Sequence, residues 1–151
     1  MLHIALWEPE IPPNTGNIAR LCAATGTALH LIGRLGFHID DKHLRRAGCD
    51  YWGDVTVLRH DTIEELEASL PGSRILPFSA HARLPYTQNA YQDSDCLLFG
   101  SEARGLPAEL LGRYPNPPTC IPMPAGKVRS LNLATAAGIV LYEALRQLGA
   151  W

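Results

Sequence analysis

"IPMPAGKVRSLNLATAAGIVLYEALRQLG", residues 121–149, joins a short apolar segment, a Pro/Gly/basic loop and a long helix that opens on small polar residues. Leu133, Ala137, Val140, Leu141, Ala144, Leu145 and Leu148 fall along one stripe at helical spacing, so this last helix offers a single apolar face to a core. Ser130 and Asn132 stand at its mouth, an adequate N-terminus and also a place where a ligand could sit. Gly138 inside the helix costs about 1 kcal/mol relative to Ala, which predicts close packing at that position.

Upstream of this stretch, β-favouring apolar runs alternate with helical patterns. "LHIALWE" (2–8) reads as a buried strand, and "NTGNIARLCAATG" as a helix capped near Asn14 or Thr15 and stopped at Gly26. "ALHLIG" is a second strand, and "DDKHLRRAG" a short helix whose acidic first turn and basic last turn suit the helix dipole. "VTVLRH" follows as a third strand, and "TIEELEASLPG" as a helix with a capping box from Thr62 to Glu65. "RILPFS", "CLLFGS" and "PTCIPM" are further apolar segments, with a polar connection at about 80–95 and a short helix "PAELLGRY" opened by Pro107. This alternation predicts an α/β fold, a mostly parallel sheet with helices on both faces.

The 151 residues suit one domain, 1–151. A content of 46% hydrophobic and 19% charged residues is globular, and no apolar run reaches membrane-span length. The opening "MLHIALWEPE" lacks the basic region and cleavage site of a signal peptide, so a cytoplasmic location is expected. Cys22, Cys49, Cys96 and Cys120 are scattered and read as reduced and mostly buried. His38 and His43 flank "IDDK", but five-residue spacing does not put them on one helical face, so no metal is expected. The formal charge of −2 excludes a coat of positive charge for indiscriminate nucleic-acid binding, yet permits a local basic patch. Eleven of the thirteen basic residues are Arg, the side chain suited to bidentate phosphate contacts.

Ligands of open α/β sheets bind at the carboxyl ends of strands. The loops there are "EPEIPPNTGNIAR", whose polar turn Asn14–Asn17 delivers Arg20 into a helix; "FGSEARGLP", with glycines at 100 and 105 that let backbone approach a ligand; and the stretch around Ser130. No G-x-G-x-x-G follows the first strand, "AGKVRS" lacks P-loop spacing, and "GSEARG" is not a hydrolase elbow. Each loop alone reads more readily as a cap or a turn. Three of them at strand ends together point to a site.

"PPNTGNIARLC", "LLFGSEARGLP" and "IPMPAGKVRSLNLATAAGIVLYEALRQLG" resemble the three ordered motifs of the SPOUT RNA 2′-O-ribose methyltransferases. "EPEIPPNTGNIARLC" with "DDKHLRRAGCDYW" resembles the minimal branch that methylates the wobble nucleotide, cytidine or uridine, of leucine tRNAs. The resemblance implies a C-terminal deep trefoil knot, which periodicity does not show and base rates oppose, and a homodimer with each site near the subunit interface. It implies S-adenosylmethionine bent in the knot, leaving as S-adenosylhomocysteine, against Phe78, Gly100, Ser101, Gly105, Ile121, Met123, Ser130 and Leu131. It implies that Arg20 acts at the ribose and its phosphate, that Ser130 and Asn132 hold the cofactor end and the hydroxyl, and that Glu102 organises the second loop. An Arg with a pKa above ~12 is a poor proton acceptor, so Arg20 is read as orienting phosphate and stabilising alkoxide charge.

For tRNA contact, Lys42, Arg45 and Arg46 share a helical face, and Arg129 sits in a strand-end loop with Lys127; Arg34 and Arg104 lie near such loops. A solvated charged face is the competing account of 42–46. Tyr51 and Trp52 either stack on a base or pack in the core. The rival functional reading is a non-catalytic RNA-binding or assembly factor on the same fold. The joint presence of Arg20, Glu102, Ser130 and Asn132 favours catalysis.

Overall fold

Continuous apolar runs of four or five residues are what a strand buried on both faces requires, and the computed structural model, which describes residues 1–38 and 52–151, uses them so. Strands β1 (His3–Trp7), β2 (Ala28–Ile32), β3 (Val57–His60), β4 (Ile75–Pro77) and β6 (Cys96–Phe99) form one parallel sheet in the order β3-β2-β1-β6-β4. All five residues of β2 and all four of β6 are buried. The edge strand β3 leaves Leu58 and Arg59 exposed. The polar connection at 80–95 is less plain than its composition: Leu84–Pro85 (β5) pairs in parallel with Thr119–Cys120 (β7), and a 3-10 turn occupies Tyr86–Gln88.

Side chains alternate between two layers, as strand geometry demands. On one face Ile4, Leu6, Leu29, Leu31, Leu97 and Phe99 meet helix α1 (Pro12–Thr25) and the C-terminal helix α4 (Leu133–Gln147), which also pack on each other. On the other, Ala5, Ile32, Cys96 and Leu98 meet Ile63 and Leu66 of α2 (Ile63–Ser69) and Leu110 of the short α3 (Ala108–Leu111). Helices therefore cover both faces, as the alternation predicts. The segment 42–46 and its proposed helix lie outside the described residues, as do Cys49, Tyr51 and the side chain of Trp52.

Local signals explain most element ends. Thr62 Oγ1 accepts from Glu65 N at 3.2 Å, closing one half of the capping box, while Glu65 reaches Asp61 N rather than Thr62 N. Gly26 ends α1 in the left-handed conformation at φ 68°. The start of α1 differs from the sequence expectation. It begins at Pro12 with Ile11 as an uncapped N-cap, because Pro fits the first helical positions without wasting a donor. Asn14–Asn17 is thus helix, not turn. In α4, Ala137, Val140, Leu141 and Ala144 are buried, but Leu148 caps the helix and is 37% exposed. A Cβ placed on Gly138 would meet nothing within 4 Å among the described residues, so the close packing expected there is not made by them; packing against another subunit is the alternative that remains.

Three histidines form a chain across the face covered by α2. His3 Nδ1 lies 3.0 Å from His30 Nε2, and His30 Nδ1 lies 2.9 Å from His60 Nε2. Burial, reinforced by the charges of its two neighbours, pushes His30 down to about 3. Cys22 and Cys96 are buried free thiols, and burial pushes Cys22 up to about 12.

Candidate functional site

Between β1 and β6 the strand order turns from one side of the sheet to the other, which is where a parallel sheet leaves a crevice beyond its carboxyl ends. A cleft of about 530 Å³ opens there. The loops after β4, β6 and β7 and the mouth of α4 line it, with Ile11 and Asn14 from the start of α1. Of the residues singled out from sequence, Phe78, Gly100, Ser101, Glu102, Gly105, Ile121, Met123, Arg129, Ser130, Leu131 and Asn132 all reach this lining. Arg20 does not: it is exposed on α1, beyond the lining residues. Lys42, Arg45 and Arg46 lie outside the described residues.

The loop after β6 is folded tightly on itself. A Cβ on Gly100 would fall 2.0 Å from Gly105 C and 2.2 Å from Leu106 N, an impossible approach. Gly100 therefore lacks a side chain so that its own loop can close, rather than to admit a ligand. Gly105 stands at φ 65° and donates its N–H to Ser101 O at 2.9 Å. The loop after β4 is tied in by a Phe78–Thr119 bridge, and Phe78 stacks on Phe99 with ring centroids 4.9 Å apart.

A directed hydrogen-bond relay joins the walls. Asn132 Oδ1 accepts from Ala134 N (2.9 Å) and Thr135 N (3.2 Å), capping α4. With its oxygen so engaged, its Nδ2 donates to Asn14 Oδ1 at 2.9 Å. Asn14 Nδ2 then donates to Glu102 Oε2 at 3.2 Å. Glu102 also accepts from Ile11 N (2.7 Å) and Glu10 N (2.9 Å), an anion at the N-terminal end of α1. Each amide's orientation is forced by its neighbour, and the relay ends on the one group that only accepts. Asn14 is 6% exposed, and the sequence reading gave it only a place at the cap and turn before α1, not a role in the site. Its signal was that a buried Asn in a helix's first turn must find partners for both ends of its amide.

One polar group in the lining is left over. Ser101 is 5% exposed and its Oγ has no hydrogen-bond partner among the described residues. A buried hydroxyl without a partner is costly, and here it borders a cleft with apolar walls at Phe78, Phe99, Ile121 and Leu131. That combination fits a flat, partly polar ligand held by backbone and a few side-chain groups.

A family model described as the SpoU rRNA methylase family matches residues 1–142. The chain belongs to the SpoU rRNA methylase family. Among SpoU relatives, a tRNA (cytidine(34)-2'-O)-methyltransferase of Escherichia coli (strain K12) is 50% identical over 151 residues, covering 99% of this chain and 95% of that one. A solved structure described as "Structural insights into the 2-OH methylation of C/U34 on tRNA" superposes with a TM-score of 0.92 at 49% identity, covering 100% of this chain and 98% of that one. An AdoMet-bound rRNA methyltransferase of Sinorhizobium meliloti superposes with a TM-score of 0.82 at 29% identity, covering 97% of this chain and 56% of that one. The resemblance read from the motifs of this SpoU chain is thereby confirmed at the level of family. Among its described residues no group of three or more His, Cys, Asp or Glu could hold a metal ion, and no helix is long and apolar enough to cross a membrane.

Proposed function

We propose that this chain transfers a methyl group from S-adenosylmethionine to the ribose 2′-hydroxyl of the wobble nucleotide, cytidine or uridine, of tRNA, with leucine isoacceptors as the expected substrates. The observation that carries this reading is the 50% identity, over 99% of the chain, to a protein named for that reaction. The donor, when bound, supplies a methyl on a positively charged sulfur. The residues of the cleft do the rest. Phe78, Phe99, Ile121 and Leu131 would shield a flat, apolar part of the donor from water, and Ser101 Oγ would offer it the hydrogen bond that the described residues leave unmade. Asn132 has committed its oxygen and one N–H to the relay, so its second Nδ2 hydrogen is what it can offer a ligand. Ser130, exposed at the same mouth, is the hydroxyl that meets donor and substrate. Much of the rate then comes from aligning the 2′-oxygen with the methyl.

Arg20 orients the adjacent phosphate and stabilises charge on the ribose oxygen. A homodimer accounts for its position, since an exposed place on α1, outside the cleft lining, lets it face a site completed by a second copy. We further read residues 1–151 as one domain in the cytoplasm, with the C-terminal segment threaded through a loop of the chain as a deep trefoil knot. In support, the segment after β4 is held from both sides, by Ser79 N to Thr119 O at 3.0 Å and Tyr91 N to Gln147 Oε1 at 3.0 Å. Arg129 at the cleft and Lys42, Arg45 and Arg46 are assigned to tRNA.

Incubation with methyl-labelled donor and total tRNA, followed by mapping of the labelled ribose, tests the reading; label at the first anticodon nucleotide is expected, and absence of label from all tRNA would leave the non-catalytic alternative. Arg20→Lys should lower the single-turnover rate by about 10- to 100-fold while leaving donor binding unchanged. A normal rate would remove the bidentate role.

A further inference from the structure

Glu8, the first residue after β1, has φ 48°, a left-handed conformation that costs a non-glycine residue about 1–2 kcal/mol. Its surroundings enforce it. Its N–H donates to Ile32 O at 2.8 Å, and its side chain folds over Gly33 so closely that a Cβ there would lie 2.9 Å from Glu8 Cγ. Its Oε2 accepts from Arg34 N at 3.1 Å, which turns Oε1 to Arg104 Nη2, 3.5 Å away. At Nε of the same guanidinium, Glu10 Oε1 lies 3.9 Å away, sealed from solvent and without a hydrogen-bond partner among the described residues.

Two carboxylates thus hold Arg104 by charge, yet neither ion pair is at good hydrogen-bond length. The side chain is 70% exposed and lines the cleft. Strain of this kind is retained where it serves a site. Placing two acids beside a cleft that receives a polyanion is unfavourable unless the acids orient a cation whose N–H donors stay available. Phosphate is the ligand whose geometry matches a guanidinium fork, and it would displace two long pairs from a guanidinium that is itself exposed.

We propose that Arg104 binds a backbone phosphate of the RNA substrate at the rim of the cleft, and that Glu8 and Glu10 are positioning residues that hold its guanidinium ready for that phosphate. The proposal rests on reading the chain as a tRNA methyltransferase. It adds a substrate-binding residue on the loop after β6, and a purpose for the strained acid after β1.

The test uses the full chain, unfractionated tRNA and donor. Arg104→Ala should raise KM for tRNA about tenfold with kcat little changed, and lower the slope of log affinity against log salt by about 0.7–0.9, the worth of one phosphate contact. Arg104→Lys should restore the salt slope but only part of the affinity. Glu8→Gln, with Arg104 intact, should raise KM for tRNA without changing the slope. Donor affinity by calorimetry should be unchanged in all three. An unchanged KM and salt slope in Arg104→Ala would overturn the proposal, as would loss of donor affinity in step with tRNA affinity. If wild-type protein neither binds nor methylates tRNA, the functional reading falls; if it does both and Arg104→Ala matches it, only the phosphate role falls.

Discussion

Asn132 caps a helix, and Asn14 sits buried in another; what makes them one unit is that neither amide can turn without stranding a donor against a donor. Removing Asn132 leaves the buried Asn14 Oδ1 without its partner, at about 1–3 kcal/mol; removing Asn14 costs less, because Asn132 is exposed and Glu102 keeps its bonds from Glu10 N and Ile11 N. Asn14→Ala and Asn132→Ala should each lower unfolding free energy, and the double variant should lose less than their sum by about 0.5–3 kcal/mol. Chemical denaturation of the four proteins measures this, and additivity would show that the relay is not a unit. At Gly100 the argument is steric. Gly100→Ala drives a methyl into the backbone of Gly105 and Leu106 and should cost about 3 kcal/mol. Gly105→Ala has open space and only the left-handed penalty, about 1–2 kcal/mol. Thermal unfolding of the pair checks the order. At this scale the sequence named the lining residues through their motifs, but not their wiring, because the relay bridges 88 and 118 positions of separation. It also assigned Asn14 to capping, the commonest use of that residue type, when the prolines before it had already begun the helix.

The elements carry the pH response. Each neutral imidazole of His3, His30 and His60 has one donor and one acceptor, so the chain takes its direction as a whole: all three protonated on Nδ1, or all three on Nε2. Protonating both ends would require His30 to accept on both nitrogens, which a neutral ring cannot do. All three are held below the ordinary histidine range mainly by burial; the terminal ammonium lowers His3 further, while Asp93 beside His3 and Glu65 beside His60 raise theirs. The folded state therefore binds fewer protons than the unfolded chain below about pH 6.5. Stability is full above that pH and falls as pH drops. For His30, at about 3, the loss at pH 5 is on the order of 2 kcal/mol. Urea midpoints at pH 7 and pH 5 should differ accordingly, and His30→Gln should shrink the difference; an equal difference in both proteins would exclude the chain as its source. Strands were legible as elements because burial on both faces leaves unbroken apolar runs. Their order in the sheet, and the alignment of three histidines on three strands, depend on long-range pairing that no local pattern encodes.

Across the whole molecule, Tyr142 and Trp151 meet with ring centroids 5.9 Å apart while remaining 47% and 74% exposed. Large aromatic surface at the end of a helix suits a second copy. Sedimentation should give twice the 16.5 kDa chain mass, and a monomer at micromolar concentration that still methylates tRNA would remove the composite site. The overall charge of −2 places any attraction for RNA in local features such as Arg104 and Arg129, so association with tRNA should weaken with salt through a few contacts, not many.

The relay from Asn132 through Asn14 to Glu102 has a kinetic corollary. Because Asn132, Asn14 and Glu102 are tied in series, the mouth of α4, the start of α1 and the loop after β6 are coupled, while the exposed stretch at 124–130 lies outside the relay. For the proposed reaction, exchange of a spent molecule for a fresh one would then fall to the parts of the mouth that the relay leaves untied, not to the three walls it joins.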